Sequence, residues 1–192
     1  MFDIQYNARD MRALKKSLKG SKKLIRRELA IAVRATAKKA GTIINQNVRT
    51  ELNAPSKAIK ELIKQSVTTT GAFPTATVKL KRSSRLAVKA FRARQTKKGV
   101  TYKISKRKSR SLAAGGFMGP KPGVSAVKLR GHAFKRLGKS RWPIAILHGP
   151  SPWGVFVKKR MKRPTNLETL VELRNQIKRR INFNTLKRAG KI

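Results

Sequence analysis

Cysteine is absent from the 192 residues, which excludes a disulfide framework, a thiolate zinc site and a cysteine nucleophile. Acidic residues are nearly as scarce: seven Asp and Glu stand against 49 Lys and Arg, a formal charge of +42. A compact monomer carrying that charge alone repels itself, so a polyanion or an acidic partner is implied. Long apolar runs are missing too. The longest, such as Leu29-Ala30-Ile31-Ala32-Val33, reach four or five residues, far short of the roughly 20 that a membrane-spanning helix needs. Residues 1–6 show no basic region followed by an apolar one, so neither a signal peptide nor a membrane partner is expected.

The scarcity of acids also bears on chemistry. Acid–base and metal catalysis need convergent carboxylates, histidines or thiolates. The seven acids are Asp3, Asp10, Glu28, Glu51, Glu61, Glu168 and Glu172, all in the two terminal thirds of the chain. Between Glu61 and Glu168 lie 27 Lys and Arg and no acid, the opposite of a two-metal nuclease site. His132 and His148 are too far apart for a short metal-ligand motif and have no acidic neighbours. Gly115-Gly116-Phe117-Met118-Gly119-Pro120 is rich in glycine but lacks the GKS/T ending and the strand–loop–helix setting of a phosphate loop. No catalytic residue, metal ligand or cofactor is assigned, and the protein is not expected to be an enzyme.

What is present suffices for a core: 39% of residues are hydrophobic, above the usual level of disordered chains. A chain of this length suggests a single domain over 1–192. Phe2, Ile4 and Tyr6 alternate with polar residues, the period of a half-buried strand. Met11, Leu14 and Leu18 fall at helical spacing, with Gly20-Ser21 as a stop and a new N-cap. Ile25, Leu29, Ala32, Val33, Thr36, Ala40, Ile43 and Asn47 then follow the i, i+3/i+4, i+7 template of a long amphipathic helix. Asn53-Ala54-Pro55 breaks it, and Ser56 is placed to cap a short helix through residue 65 bearing Ile59, Leu62 and Ile63.

After Thr68-Thr69-Thr70-Gly71 the period changes to two, with Ala76, Val78 and Leu80 on one face. Residues 86–91 and 100–104 read as strands of a hairpin whose turn is Lys97-Lys98-Gly99. Residues 105–122, dominated by Lys, Arg, Ser, Gly and Pro, read as a mobile basic loop. Strand character returns over 124–137, and Trp142-Pro143-Ile144-Ala145-Ile146-Leu147 resembles a strand buried on both faces. Asn166 is placed to cap a final helix through about residue 183, with Leu167, Leu170, Val171, Leu173, Ile177 and Ile181 on its apolar side, and 184–192 is left as a basic tail. The expected class is α+β: long N-terminal amphipathic helices packed on a mainly antiparallel sheet, a basic hairpin and loop, and a C-terminal helix.

The candidate contact residues for a polyanion are the basic runs: Lys97 and Lys98; Lys106, Arg107 and Lys108 with Arg110; Lys158, Lys159 and Arg160; and Lys162 and Arg163. Lys and Arg neutralise phosphates and release counterions. No zinc finger, RNA-recognition signature or helix-turn-helix accompanies them, so contacts to a nucleic-acid backbone, independent of base sequence, are expected.

Two stretches resemble the minor tail protein Z family of lambda-like tailed bacteriophages. One runs from the Ala-rich helix through Asn47-Val48-Arg49-Thr50-Glu51-Leu52, the short basic helix and the strand Ala76-Thr77-Val78-Lys79-Leu80. The other is Gly131-His132-Ala133-Phe134-Lys135-Arg136-Leu137, then Arg141-Trp142-Pro143-Ile144-Ala145-Ile146-Leu147, then Gly149-Pro150-Ser151. The resemblance covers most of the chain and makes Arg141, Trp142, Pro143, Ile144, Gly149 and Pro150 its structural motif. It implies a tail-completion domain: a structural virion protein of the tail and neck that supports head–tail joining after assembly in the host cytoplasm. It also implies a ring of copies, hexameric among the orders open to it. The neighbours implied are a tail terminator, a connector and a tape measure protein, with phage DNA inside.

At one negative charge per about 1.7 Å of duplex, +42 balances roughly 70 Å of DNA per copy. No ring is thick enough to supply that to every subunit, so acidic surfaces of neighbouring ring proteins are expected to share the charge. The alternative carried by composition alone is a ribosomal or other RNA-packaging basic protein, since folded RNA most easily neutralises such a chain. The regular amphipathic helices and the lack of one long unpatterned basic tail stand against it.

Overall fold

The computed structural model describes residues 8–17, 22–69, 73–120, 129 and 131–188. The strand read at residues 2–6 and the stop-and-cap at Gly20-Ser21 lie outside them. Along the described chain run helix α1 (Ala8–Ser17), helix α2 (Lys22–Glu51), helix α3 (Ser56–Lys60), strands β1 (Ile63–Thr68) and β2 (Thr75–Leu80), and a 3-10 turn at Val88–Phe91. Strands β3 (Arg94–Thr96), β4 (Gly99–Tyr102), β5 (Ser111–Ala114), β6 (Gly116–Met118), β7 (Ala133–Arg136) and β8 (Ile144–Ile146) follow, then helices α4 (Pro152–Lys158) and α5 (Lys162–Arg188). All strand pairs are antiparallel, so the architecture is α+β. The strands form three small sheets, ordered β1-β2, β3-β4-β5 and β6-β7-β8, in place of the single sheet expected.

The range 1–192 divides into two compact units interleaved along the sequence. The first holds α1, α2 up to Ile44, β1, β2 and α5; the second holds the end of α2, α3, β3 to β8 and α4. Neither unit is continuous in sequence, so no linker composition marks a boundary.

In the first unit the stripe read from spacing is the buried face of α2: Ile25, Leu29, Ala32, Val33, Thr36, Ala40 and Ile43 are all buried. Thr36 satisfies its hydroxyl by donating to the Ala32 carbonyl one turn back, at 2.9 Å. Gly41 is the point where β1 comes close, since a side chain there would strike Gln65. Strand β2 turns Ala76, Val78 and Leu80 inward, as the two-residue period predicted. Its partner β1 corrects the expected helix through residue 65: α3 ends at Lys60, and Ile63 pairs with Leu80 through to Thr68 with Thr75. Val67 and Thr68 are β-branched, and the long-range pairing outweighs the local spacing of Ile59, Leu62 and Ile63. Nor does Ser56 cap α3; Pro55 holds that position, and the Ser56 hydroxyl accepts a 2.6 Å bond from Asn45.

Helix α5 starts earlier than expected. Asn166 lies inside it, because Pro164 falls in the first turn, where a missing N–H has no helical partner to lose. Residues 184–188 of the expected tail are helical too. The buried side is Thr165, Thr169, Leu173 and Ile177, four residues apart, while Leu167, Leu170 and Val171 are exposed. The two threonines read as polar but are buried, and Thr169 satisfies its hydroxyl by donating to the Thr165 carbonyl at 2.7 Å.

The second unit has its centre at Val88, Val100 and Ala133, with Ala93, Tyr102, Met118 and Leu147 packed around them. Residues 86–91 are not the hairpin's first strand: Val88 and Phe91, three apart, bury as a 3-10 turn. The hairpin arms are β3 and β4, with Lys97-Lys98 at the turn as read. Gly99 follows at φ +142°, a conformation that side chains rarely adopt. Of the expected loop 105–122, the described residues 105–120 are likewise not structureless. Ser105 bridges Leu52, and Ala113 to Gly116 supply small residues where β5 meets β4 and β6 meets β7. The Ala and Gly content that suggested mobility serves close strand approach; Gly116 is buried beside the Ala113 and Phe134 carbonyls.

The segment 124–137 yields only β7 within the described residues. Strand β8 lies at the end of its sheet and is not buried on both faces: Trp142 is 61% exposed and Ile146 41%.

Gly149 donates its N–H to the Leu86 carbonyl at 2.7 Å, and any Cβ there would press into the buried Phe91 ring. Gly149→Ala is expected to lower unfolding free energy by about 1–3 kcal/mol, the usual cost of overpacking. Gly138→Ala, where a Cβ meets nothing within 4 Å, is expected to be neutral or mildly stabilising. Urea denaturation of both variants checks the pair.

Candidate polyanion interface

The cations singled out in the sequence fall into three settings. Lys97 and Lys98 form the exposed tip of the β3–β4 hairpin. Lys106, Arg107 and Lys108 form an exposed bend directly after the Leu52–Ser105 bridge. That bend is stitched to the end of α2: Asn53 donates to the Ile104 carbonyl at 2.7 Å, and Lys106 to the Glu51 carbonyl at 3.3 Å. Lys158 ends α4, and Lys159 and Arg160 turn the chain away from it, Arg160 with the left-handed φ of 51°. These residues all belong to the second unit. Lys162 and Arg163 belong to the first, exposed in the opening turn of α5. No acid accompanies them there, so their charge adds to the positive end of the helix dipole and favours an anion from outside.

Arg110 departs from the group. Its guanidinium donates to the Arg92 carbonyl at 2.7 Å and to the Thr101 carbonyl at 3.0 Å. It holds β4 to the chain before β3, a structural tie that leaves it less available to a phosphate.

The resemblance motif is spread over the second unit. Arg141, Trp142 and Pro143 are exposed, joined by a cis peptide bond between Trp142 and Pro143. Ile144 is half-buried at the start of β8, Gly149 packs on Phe91, and Pro150 lines a groove.

That groove was not legible in the sequence. It has a volume of about 700 Å³ and lies between the end of α2, residues 104–111 and α4. Its walls bring Lys108 together with Lys158 and Lys159, some fifty residues apart in the chain. Hydroxyls of Ser105, Ser109, Ser111 and Ser151 share the lining with the apolar Leu52, Ile104, Pro150 and Val155. Glu51 sits among them as an internal counterion, with its side chain 16% exposed. One carboxylate oxygen is 3.7 Å from Arg107 Nη2, and the other is 3.4 Å from Lys159 Nζ. Nothing in the spacing of Glu51, Arg107 and Lys159 signals this meeting. The only hint is that Glu51 is an isolated acid at the point where the long helix gives way to Pro55.

Among the described residues no group of three or more His, Asp or Glu could hold a metal ion. Nor, among them, is any helix long and apolar enough to cross a membrane. Comparison with protein-family models, with curated proteins and with solved structures finds no match.

The different settings of the cations predict different responses to substitution. Arg110→Ala is expected to cost about 1 kcal/mol, since hydrogen bonds to charged donors contribute ~1.5–3 kcal/mol when shielded and less when exposed. Lys98→Ala at the hairpin tip is expected to leave the urea midpoint unchanged, which equilibrium denaturation of the two variants checks.

Proposed function

We propose that the protein is a structural, non-enzymatic component of a tailed phage virion. It completes the tail and supports head–tail joining at the neck, as a ring of copies that contacts the DNA backbone and acidic neighbouring ring proteins. The observation that carries this reading is the order of elements around the two resembling stretches. A long Ala-rich helix passes through Asn47-Val48-Arg49-Thr50-Glu51-Leu52 into a short basic helix and a hairpin. Later, β7 and the Trp142-Pro143-Ile144 strand lead through Gly149-Pro150-Ser151 into the terminal helices.

The charge supports the second part of the reading. With 49 cations and seven acids, most Lys and Arg have no carboxylate within the chain. Lys97, Lys98 and Lys106 are exposed at turns, where long side chains can follow a phosphate backbone without reading bases. Host-cell assembly, a tail terminator, a connector and a tape measure protein as neighbours, and a hexameric ring all belong to this reading.

Two measurements test it. Mass analysis of purified tailed virions is expected to find the protein at a few copies per particle. Salt-stable, one-per-particle recovery with ribosomal subunits would instead establish the RNA-packaging alternative. For the DNA contact, binding of a mixed-sequence duplex is followed by fluorescence anisotropy across a salt series. Changing Lys97, Lys98 and Lys106 to Ser is expected to flatten the slope by up to about 0.9 for each phosphate that is no longer neutralised. An unchanged slope removes these lysines from the DNA surface.

A further inference from the structure

The groove beside Glu51 is chemically unlike the other basic surfaces. The hairpin tip and the opening turn of α5 are convex and polar, whereas the groove pairs a cationic rim with a floor of Leu52, Ile104, Pro150 and Val155. We infer that it is a docking site for an extended acidic segment of a partner protein, with aliphatic side chains interspersed between carboxylates. This deepens the proposed function by assigning one basic cluster to protein rather than to DNA, and it rests on that reading only for where the partner resides.

Three observations select the occupant. First, Lys108 and Lys158 rise from separate segments on the groove, while Lys159 is already engaged by Glu51. Two cations a groove apart match carboxylates spaced along a peptide. Second, the floor is aliphatic and no aromatic side chain lines it. Single-stranded nucleic acid is held by base stacking on aromatic rings, and a duplex resting on the rim would leave the apolar floor empty. A leucine or valine between two acids fills it instead. Third, the Glu51 carboxylate in the groove's lining is already paired with Arg107 and Lys159, so an occupant meets two separated free lysines in place of a continuous row of cations, which suits spaced carboxylates better than an unbroken phosphate chain.

The volume, about 700 Å³, falls in the range of pockets that enclose small ligands or a few residues. The groove's lining includes Ser111, the first residue of β5, which closes the order β3-β4-β5. Among the described residues the outer edge of β5 has no strand partner, and open edges accept extended peptides by main-chain pairing. The walls are already in place: the bridge from Leu52 to Ser105 and the bond from Ser151 Oγ to the Arg82 carbonyl, 3.2 Å, fix both sides.

The test uses the full chain and a short fluorescein-labelled peptide alternating glutamate and leucine. The groove variant K108S/K158S is compared with K97S/K98S, which removes the same charge from the hairpin tip; circular dichroism melts establish that both are folded. The expected result is about tenfold weaker peptide binding for the groove variant and less than about twofold for the tip variant. Replacing leucine by serine in the peptide should weaken binding to the wild-type protein by a similar factor. Equal losses in the two variants, or equal binding of the serine peptide, would reduce the effect to general charge attraction and overturn the proposal. Loss of duplex binding in K108S/K158S with peptide binding intact would instead make the groove a nucleic-acid site. The salt slope of the wild-type protein on duplex DNA reports separately on the DNA-contact reading, so either can fail without the other.

Discussion

Every element of the structure has to coexist with 49 cations and seven carboxylates, and the shortage of internal counterions shapes how the chain folds. Acids that enter the fold are used where they do most. Glu28, its side chain 14% exposed, lies 3.9 Å from Arg180 on α5, and Glu51 serves Arg107 and Lys159 together. Elsewhere other acceptors stand in. The Arg26 guanidinium donates to the Thr69 carbonyl at 2.7 Å beyond the end of β1, and Arg110 to two carbonyls of the second unit. Aromatic faces do the same: Arg82 lies 5.5 Å from the Trp153 ring centre, Arg136 5.7 Å from Phe117 and Arg180 6.0 Å from Phe183. A guanidinium suits these roles better than an ammonium because it is planar, weakly hydrated and carries donors in a fixed fork.

The apolar core bears the repulsion that remains. In the first unit it is a dense stripe of Leu, Val, Ile and Ala on α2, with Gly41 admitting Gln65 of β1 beside it. In the second it is a small cluster around Val100, closed by the Phe91 ring against Gly149. Burial of this kind is non-directional and is not screened by salt as charge pairs are, so it holds the scaffold while the surface stays strongly positive. The surplus of exposed charge is then available to partners. Lys97, Lys98 and Lys106 present that charge on exposed turns, whereas Lys108 and Lys158 present it beside an aliphatic lining.

Much of this was legible in the sequence. The buried face of α2, the inward positions of β2 and the Lys97-Lys98 turn follow from local periodicity and turn chemistry, which report directly on which residues face inward. The misreadings have physical causes. Ile59, Leu62 and Ile63 have helical spacing, but pairing with β2 takes Ile63 into a strand. Ala113 to Gly116 look flexible, yet Ala113 and Ala114 pair with β4, and Gly116 packs closely on the Ala113 and Phe134 carbonyls. Thr165 and Thr169 look polar yet are buried, and the helix backbone accepts the Thr169 hydroxyl. The candidate site was half visible: its lysines were found as runs, but neither Glu51 nor the serines were among them.

By itself the sequence determined the sign of the surface, the α+β class, the long helix and the absence of a thiolate or carboxylate centre in its middle. Those properties depend on composition and on neighbours within a few residues. Only the tertiary structure decided which cations stay free, which are tied to carbonyls as Arg110 is, and which gather with Glu51 around an apolar floor. The reason is that the bridge between Leu52 and Ser105 brings residue 108 to the end of α2, and the Glu51–Lys159 ion pair brings residue 158 there. No local pattern encodes a contact between segments fifty residues apart.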